Sequence, residues 1–287
     1  MGAIHSLIAA LSSPLRRHLS RGCGAAVLRR FLSPLRGGIA RFVAALMASV
    51  LLSPAHADVI ELRADQWCPY TCRPDSDQPG VLVEITREAL APFGHELHYA
   101  LLSRARGIAQ VQAGEIDGLL GLRPGDHPGL LFGPPLSHSQ EALGFRLGES
   151  RDVTHPQDLQ GLRLGALQDQ VYSDPFARYL GRHRNDPTLV QLLSGAEGLR
   201  RNLKKLLNNR IDLVLEDRAV LQHTLKQRRL RRQVEVVPLP GQIPLHVGFA
   251  PGQDSSVRYI AQLEQGLARL KRSGRYQAIL ARYGLKG

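Results

Sequence analysis

The chain has 287 residues, 43% of them hydrophobic, with 37 Lys and Arg against 25 Asp and Glu for a formal charge of +12. This composition excludes intrinsic disorder, a collagen-like chain and a disulfide-dense miniprotein, and the length allows about two domains or one large one. The charge is unevenly spread: residues 1–57 hold seven Arg and no acidic residue, so the remaining 230 residues carry 30 basic against 25 acidic side chains, a net +5.

The first segment in chain order is a leader. Arg41 precedes Phe42–Leu52, eleven uncharged residues, and Ser53-Pro54-Ala55-His56-Ala57 follows. A basic region, a short apolar run and a small-x-small exit before Asp58 are the features of an export signal. The run is too short to span a bilayer, which needs about 20 apolar residues. The expectation is a signal peptide over 1–57, cleaved between Ala57 and Asp58, that delivers the chain to the periplasm; an uncleaved membrane anchor is the alternative. Export signals usually end near ~30 residues, and translation from Val27 would leave a leader of 31. The pair Arg29-Arg30 is a weak twin-arginine feature.

With Cys23 in the leader, only Cys68 and Cys72 remain, in Trp67-Cys68-Pro69-Tyr70-Thr71-Cys72. In an oxidising compartment this pair reads as a local disulfide. Free thiols and a catalytic or metal role stay open, although two thiolates without clustered His would leave a zinc ion half-ligated. So short a loop gains little unfolded-state entropy, and the bond would serve to fix a turn.

The rest reads as α/β. Val59 to Ala64 alternates into a strand, and Val81 to Phe93 carries Val81, Ile85, Ala89 and Phe93 at helical spacing, closed by Gly94. Glu96 to Leu101 predicts a second strand and Arg104 to Ala113 a helix broken by Gly114. Ile116 to Gly121 then starts a short buried strand. This succession predicts a mostly parallel sheet with crossover helices. It restarts with a strand over Leu162 to Leu167, helices near Ser173 to Gly181 and Ala196 to Leu207, and a buried strand from Ile211 to Leu215. A helix through His223 and a strand over Val234 to Pro238 complete it. The unit Gly114-Glu115-Ile116-Asp117 reappears as Asn209-Arg210-Ile211-Asp212, and two similar α/β lobes are the economical explanation.

The basic runs read first as solvated surface. Arg200, Arg201, Lys204 and Lys205 share a helix whose opposite face carries Leu199, Leu203, Leu206 and Leu207. The denser run Lys226 to Arg232 could also meet an acidic partner, lipid head groups or cell-wall polymer. No recognition helix or zinc finger accompanies it, and no nucleic-acid partner is expected. The sequence has no P-loop, G-x-G-x-x-G, G-x-S-x-G or H-E-x-x-H motif, and no cofactor or metal is expected.

From about Ile60 to Gly284 the chain resembles the bacterial extracellular solute-binding proteins of family 3, type II periplasmic binding proteins of polar amino-acid importers. The resemblance rests on Trp67-x-Pro69-Tyr70 followed by Gly80 and an amphipathic helix, on Gly114-Glu115-Ile116-Asp117-Gly118, and on Phe132-Gly133-x-Pro135. It continues with Asp158-Leu159-x-Gly161-Leu162-x-Leu164-Gly165, with Asp212 to Asp217, and with Ser273-Gly274-x-Tyr276 to Arg282-Tyr283-Gly284. It implies a two-lobed α/β fold: lobe one over 58–143 plus 245–287, lobe two over 144–244. Crossover strands near Ala142 to Leu147 and Leu245 to Ala250 would join them, and the C-terminal helices would pack on lobe one. It also implies a monomeric, non-catalytic receptor that closes by hinge motion on a small polar solute, an amino acid or related compound, for an inner-membrane ABC permease. The fold also hosts enzymes, so a cyclohexadienyl-dehydratase-like activity is the alternative, followed by a cell-envelope interaction protein using the Arg-rich surface.

For the ligand site, the family's carboxylate-binding Arg falls on Asp126, a reversal of charge, with Arg123 able to supply a guanidinium from a shifted position. The ammonium-binding Asp falls on Asp217, and the family's anion-facing helix start falls on Asp169-Gln170, where a carboxylate disfavours an ordinary α-amino acid. Position in the fold adds Trp67 and Tyr70 at the end of the first strand and Arg104 at a helix start. A core-covering Trp67 and a solvated Arg104 are the alternatives.

Overall fold

The computed structural model describes residues 57–125 and 127–285. The expected leader before Ala57, with Cys23, and the position of Asp126 lie outside the described residues.

The first strand, β1 (Val59–Ala64), alternates as expected for a half-buried strand, with Ile60, Leu62 and Ala64 turned into the core. Helix α1 (Val81–Leu90) buries its apolar side, tightens into a 3-10 turn over Ala91–Phe93 and is closed by Gly94 at φ 85°. Strand β2 (Glu96–Leu101), helix α2 (Arg104–Ala113), the fully buried β3 (Gly118–Leu122) and the short strands β4 (Leu131–Phe132) and β5 (Ser137–Ser139) follow.

A second unit then runs through β6 (Glu141–Arg146), β7 (Leu164–Leu167), α3 (Phe176–His183), β8 (Val190–Leu193), α4 (Gly198–Leu207), β9 (Leu213–Asp217), α5 (Arg218–Gln227) and β10 (Val234–Pro238). Strand β11 (Ile243–Phe249) returns to the first sheet, and helices α6 (Asp254–Arg272) and α7 (Arg275–Arg282) complete the described chain.

The first sheet has the order β2-β1-β3-β11-β4, with β5 also paired to β11; the second has the order β10-β6-β9-β7-β8. Each contains three parallel strands, β2-β1-β3 and β9-β7-β8. The strands that carry the chain between the sheets join antiparallel: β11 against β3, β4 and β5, and β6 against β9 and β10. The sheets are therefore mixed rather than mostly parallel, because a strand arriving from the other lobe enters from the opposite end. The chain changes sheet at Gln140, between β5 and β6, and returns between Pro238 and Ile243.

The repeated sequence unit is a repeated structure. Gly114 (φ 72°) and Asn209 (φ 55°) both take the left-handed turn that ends a helix, a conformation natural to Gly and tolerated by Asn. Helix α6 lies against α1, and a Cβ at Gly266 would stand 2.0 Å from the Ala89 carbonyl oxygen, so only Gly allows this approach. Arg275 pairs with both Glu88 carboxylate oxygens at 2.8 and 2.7 Å, and Arg282 and Tyr283 both bind Glu84. Leu199, Leu203 and Leu206 of α4 are buried while Arg200, Arg201 and Lys204 are exposed. From Lys226 to Arg232 every basic side chain is exposed.

Candidate functional site

The turn after β1 is built by the backbone. The Trp67 and Thr71 amides each donate to the other's carbonyl, at 2.7 and 3.1 Å, and the Thr71 hydroxyl donates to the Asp65 carbonyl at 2.8 Å. A disulfide joins Cys68 and Cys72, whose Cα atoms are 4.8 Å apart. The turn sits on the start of α1, where the Val81 and Leu82 amides donate to the Pro69 and Tyr70 carbonyls. Gly80 (φ 122°) makes that approach possible, since a Cβ there would lie 2.4 Å from the Tyr70 oxygen. The rings of Trp67 and Tyr70 stack with centroids 4.5 Å apart and planes inclined by 30°, within the distance range of favourable aromatic pairs.

Both rings reach the second sheet. The Trp67 indole N–H donates to Glu216 Oε1 at 3.4 Å, and the Tyr70 hydroxyl lies 3.2 Å from Asp217 Oδ2 and 3.1 Å from the His138 carbonyl. Glu216 and Asp217 end β9 beside the connecting strand β6. Asp217 caps α5: its Oδ1 accepts the Ala219 and Val220 amides at 2.8 and 3.0 Å, and its Oδ2 also accepts the Gln140 amide at 3.0 Å. Burial pushes the Asp217 carboxyl up to about 6 against those hydrogen bonds. Glu216 is 1% exposed and accepts the Asp217 amide at 2.8 Å as well as the Trp67 indole. Burial, with the neighbouring Asp217 charge adding to it, pushes the Glu216 carboxyl up to about 8.

Around this junction the half-buried Arg123, just after β3, acts electrostatically on the Tyr70 and Tyr172 hydroxyls, both raised well above the usual phenol value by burial. Arg104, at the start of α2, lies 3.5 Å from Asp65. Glu141, the first residue of β6, accepts the Ser173 amide and hydroxyl at 2.6 and 2.5 Å. Trp67, Tyr70, Arg123 and Asp217 are thus brought together, and Arg104 is linked to them through Asp65, which also acts on Glu216. Asp169 is exposed in the loop after β7 and accepts the Gly195 amide at 3.2 Å within its own lobe; Gln170 follows it in the same loop. Glu216, Glu141 and Tyr172 were not singled out from sequence. The available signal for Glu216 is an acidic residue ending the apolar run Leu213-Val214-Leu215.

Among the described residues no group of three or more His, Cys, Asp or Glu side chains could hold a metal ion, and no helix is long and apolar enough to cross a membrane.

No family model matches the chain, and no curated protein matches it. Solved structures do. A histidine kinase sensor domain with similarity to periplasmic binding proteins is 21% identical with a TM-score of 0.62, covering 80% of this chain and 98% of that one. The arginine-, lysine-, histidine-binding protein ArtJ from Geobacillus stearothermophilus is 16% identical with a TM-score of 0.62, covering 80% and 96%. The GluR0 ligand-binding core from Nostoc punctiforme, in complex with L-glutamate, is 17% identical with a TM-score of 0.60, covering 78% and 98%. At these identities the likeness is one of architecture: this chain has the two-lobed α/β fold of the type II periplasmic binding proteins.

Proposed function

We propose that the chain is an exported receptor that captures a small polar solute, an amino acid or related compound, between its lobes for an inner-membrane ABC importer. The observation that carries this reading is the junction itself. An aromatic pair on a rigid turn of the first lobe, Trp67 and Tyr70, meets the carboxyl pair Glu216 and Asp217 of the second, next to the connecting strand at Gln140. A rotation about that connection makes or breaks these contacts together, and a ligand with higher affinity for the closed arrangement shifts the equilibrium without any chemistry. ArtJ and the GluR0 core, of the same architecture, are described as binding amino acids. Export rests on the leader features of residues 1–57, and the lobe division on the two changes of sheet.

One observation favours a second reading, a dehydratase-like enzyme. Two adjacent carboxyls whose proton affinities are pushed apart, Glu216 to about 8 and Asp217 to about 6, are the arrangement from which acid and base roles are drawn. Thermal-shift screening against amino acids, polyamines, dicarboxylates and sugar acids separates the two. A stabilising solute recovered unchanged by NMR supports the receptor. A solute converted on standing replaces it with the enzyme, and an absence of response across the panel refutes both.

A further inference from the structure

Asp217, the position that the resemblance assigns to a ligand's ammonium group, has its acceptor capacity taken. Three amides, of Ala219, Val220 and Gln140, donate to its two oxygens at 2.8–3.0 Å, and the Tyr70 hydroxyl, whose single proton is shared with the His138 carbonyl, lies 3.2 Å from Oδ2. Its neighbour differs: Glu216 Oε1 is bound, but Oε2 is buried with no hydrogen-bond partner among the described residues. A buried carboxyl oxygen without a donor is costly, and such an orphan in a native structure calls for a role.

The surroundings decide the sign of its partner. Asp217 lies on the same strand; Asp65, Trp67 and Tyr70 come from the segment after β1, Glu141 from β6, Tyr172 from the loop before α3 and Arg123 from the residues after β3. Arg104 forms an ion pair with Asp65 at 3.5 Å, and its Nε is buried without a hydrogen-bond partner among the described residues. Four carboxyls, of Asp65, Glu141, Glu216 and Asp217, therefore stand against three guanidiniums, of Arg104, Arg123 and Arg218, and the majority of carboxyls favours a cation.

We infer that Glu216, rather than Asp217, is the specificity-determining group of the inter-lobe site, its Oε2 accepting an alkylammonium or guanidinium N–H of the solute, which enters in exchange for the Glu216 proton. This rests on the receptor reading above. Burial holds the carboxyl protonated near neutral pH; an adjacent cation favours the ionised form, the proton leaves to water, and the buried charge is unchanged because one positive charge replaces another. The Trp67 contact over Glu216 spans the two lobes, so their separation uncovers the group for exchange.

The test is isothermal titration calorimetry of the full chain with putrescine and L-arginine as cationic probes and L-glutamate and succinate as anionic ones, at pH 7 in buffers of different ionisation enthalpy. The cationic probes are expected to bind with release of close to one proton, their affinity rising nearly tenfold per pH unit between about pH 6 and pH 7.5. Glu216→Gln copies the shape and charge of the protonated acid and so keeps the fold; it is expected to lose the proton release and at least about tenfold in affinity for the cationic probes. Cation binding without proton release, unchanged affinity in Glu216→Gln, or binding of the anionic probes alone overturns the inference and leaves the receptor intact. Binding of none of the four also overturns it, while the broader solute screen decides the receptor separately.

Discussion

Asp117 and Asp212 make the same pair of contacts in the two sheets. Asp117 accepts the Glu61 amide at 2.8 Å and donates its own amide to the Glu61 carbonyl at 3.1 Å; Asp212 accepts the Arg163 amide at 2.8 Å and donates to the Arg163 carbonyl at 2.9 Å. Each ties the entry of an inner strand to its parallel neighbour. Their electrostatics diverge. The Arg163 guanidinium grips both Asp212 oxygens, at 2.9 and 3.0 Å, and holds that carboxyl below its usual range, whereas burial pushes Asp117 up.

Asp117→Asn and Asp212→Asn are therefore expected to show opposite pH trends in urea unfolding. A lowered native value gives stability that is present above the unfolded pKa and lost as pH falls, so Asp212→Asn costs about 1 kcal/mol near neutrality, discounted for the 38% exposure of Arg163, and less in acid. A raised native value does the reverse, and Asp117→Asn gains on the wild type as pH rises past the ordinary carboxylate range. The same trend in both variants would refute the assignment.

Glu216 gives a larger effect of the second kind. Its native value of about 8 lies above the ordinary 4.5, so its contribution is full below the unfolded pKa and is lost as pH rises towards 8. In denaturant titrations without solute, Glu216→Gln should overtake the wild type across this window by on the order of a few kcal/mol. Parallel stability curves would show that the carboxyl is not buried as described.

Tyr70→Phe removes the hydroxyl that lies between Asp217 and the His138 carbonyl at the lobe connection. The expected cost is about 1–2 kcal/mol, read as a lower Tm, with the ring stacking on Trp67 retained in the near-ultraviolet circular dichroism. An unchanged Tm would place the hydroxyl in water rather than in this contact.

Two glycines in helices separate packing from propensity. Gly266→Ala forces a methyl onto the Ala89 carbonyl between α6 and α1 and is expected to destabilise by about 1–3 kcal/mol. Gly181→Ala in α3 meets nothing within 4 Å and should stabilise by about 0.5–1 kcal/mol. Equal effects in chemical denaturation would contradict the helix contact.

The residues alone determined what depends on short range. Period-two alternation marks Val59–Ala64, helical spacing closed by Gly94 and Gly114 marks α1 and α2, the Gly114–Asp117 and Asn209–Asp212 units mark a duplicated lobe, and five residues suffice to pair Cys68 with Cys72. Strand β8 (Val190–Leu193) escaped because its partly buried run shows no alternation. Only the tertiary structure set the antiparallel entry of the connecting strands, engaged the Asp217 carboxylate with three amides and the shared Tyr70 hydroxyl, and left Glu216 with one bound and one unbound oxygen. Those outcomes depend on Trp67 and Tyr70 meeting residues almost 150 positions away, a separation across which local spacing carries no information and burial alone fixes the proton affinity.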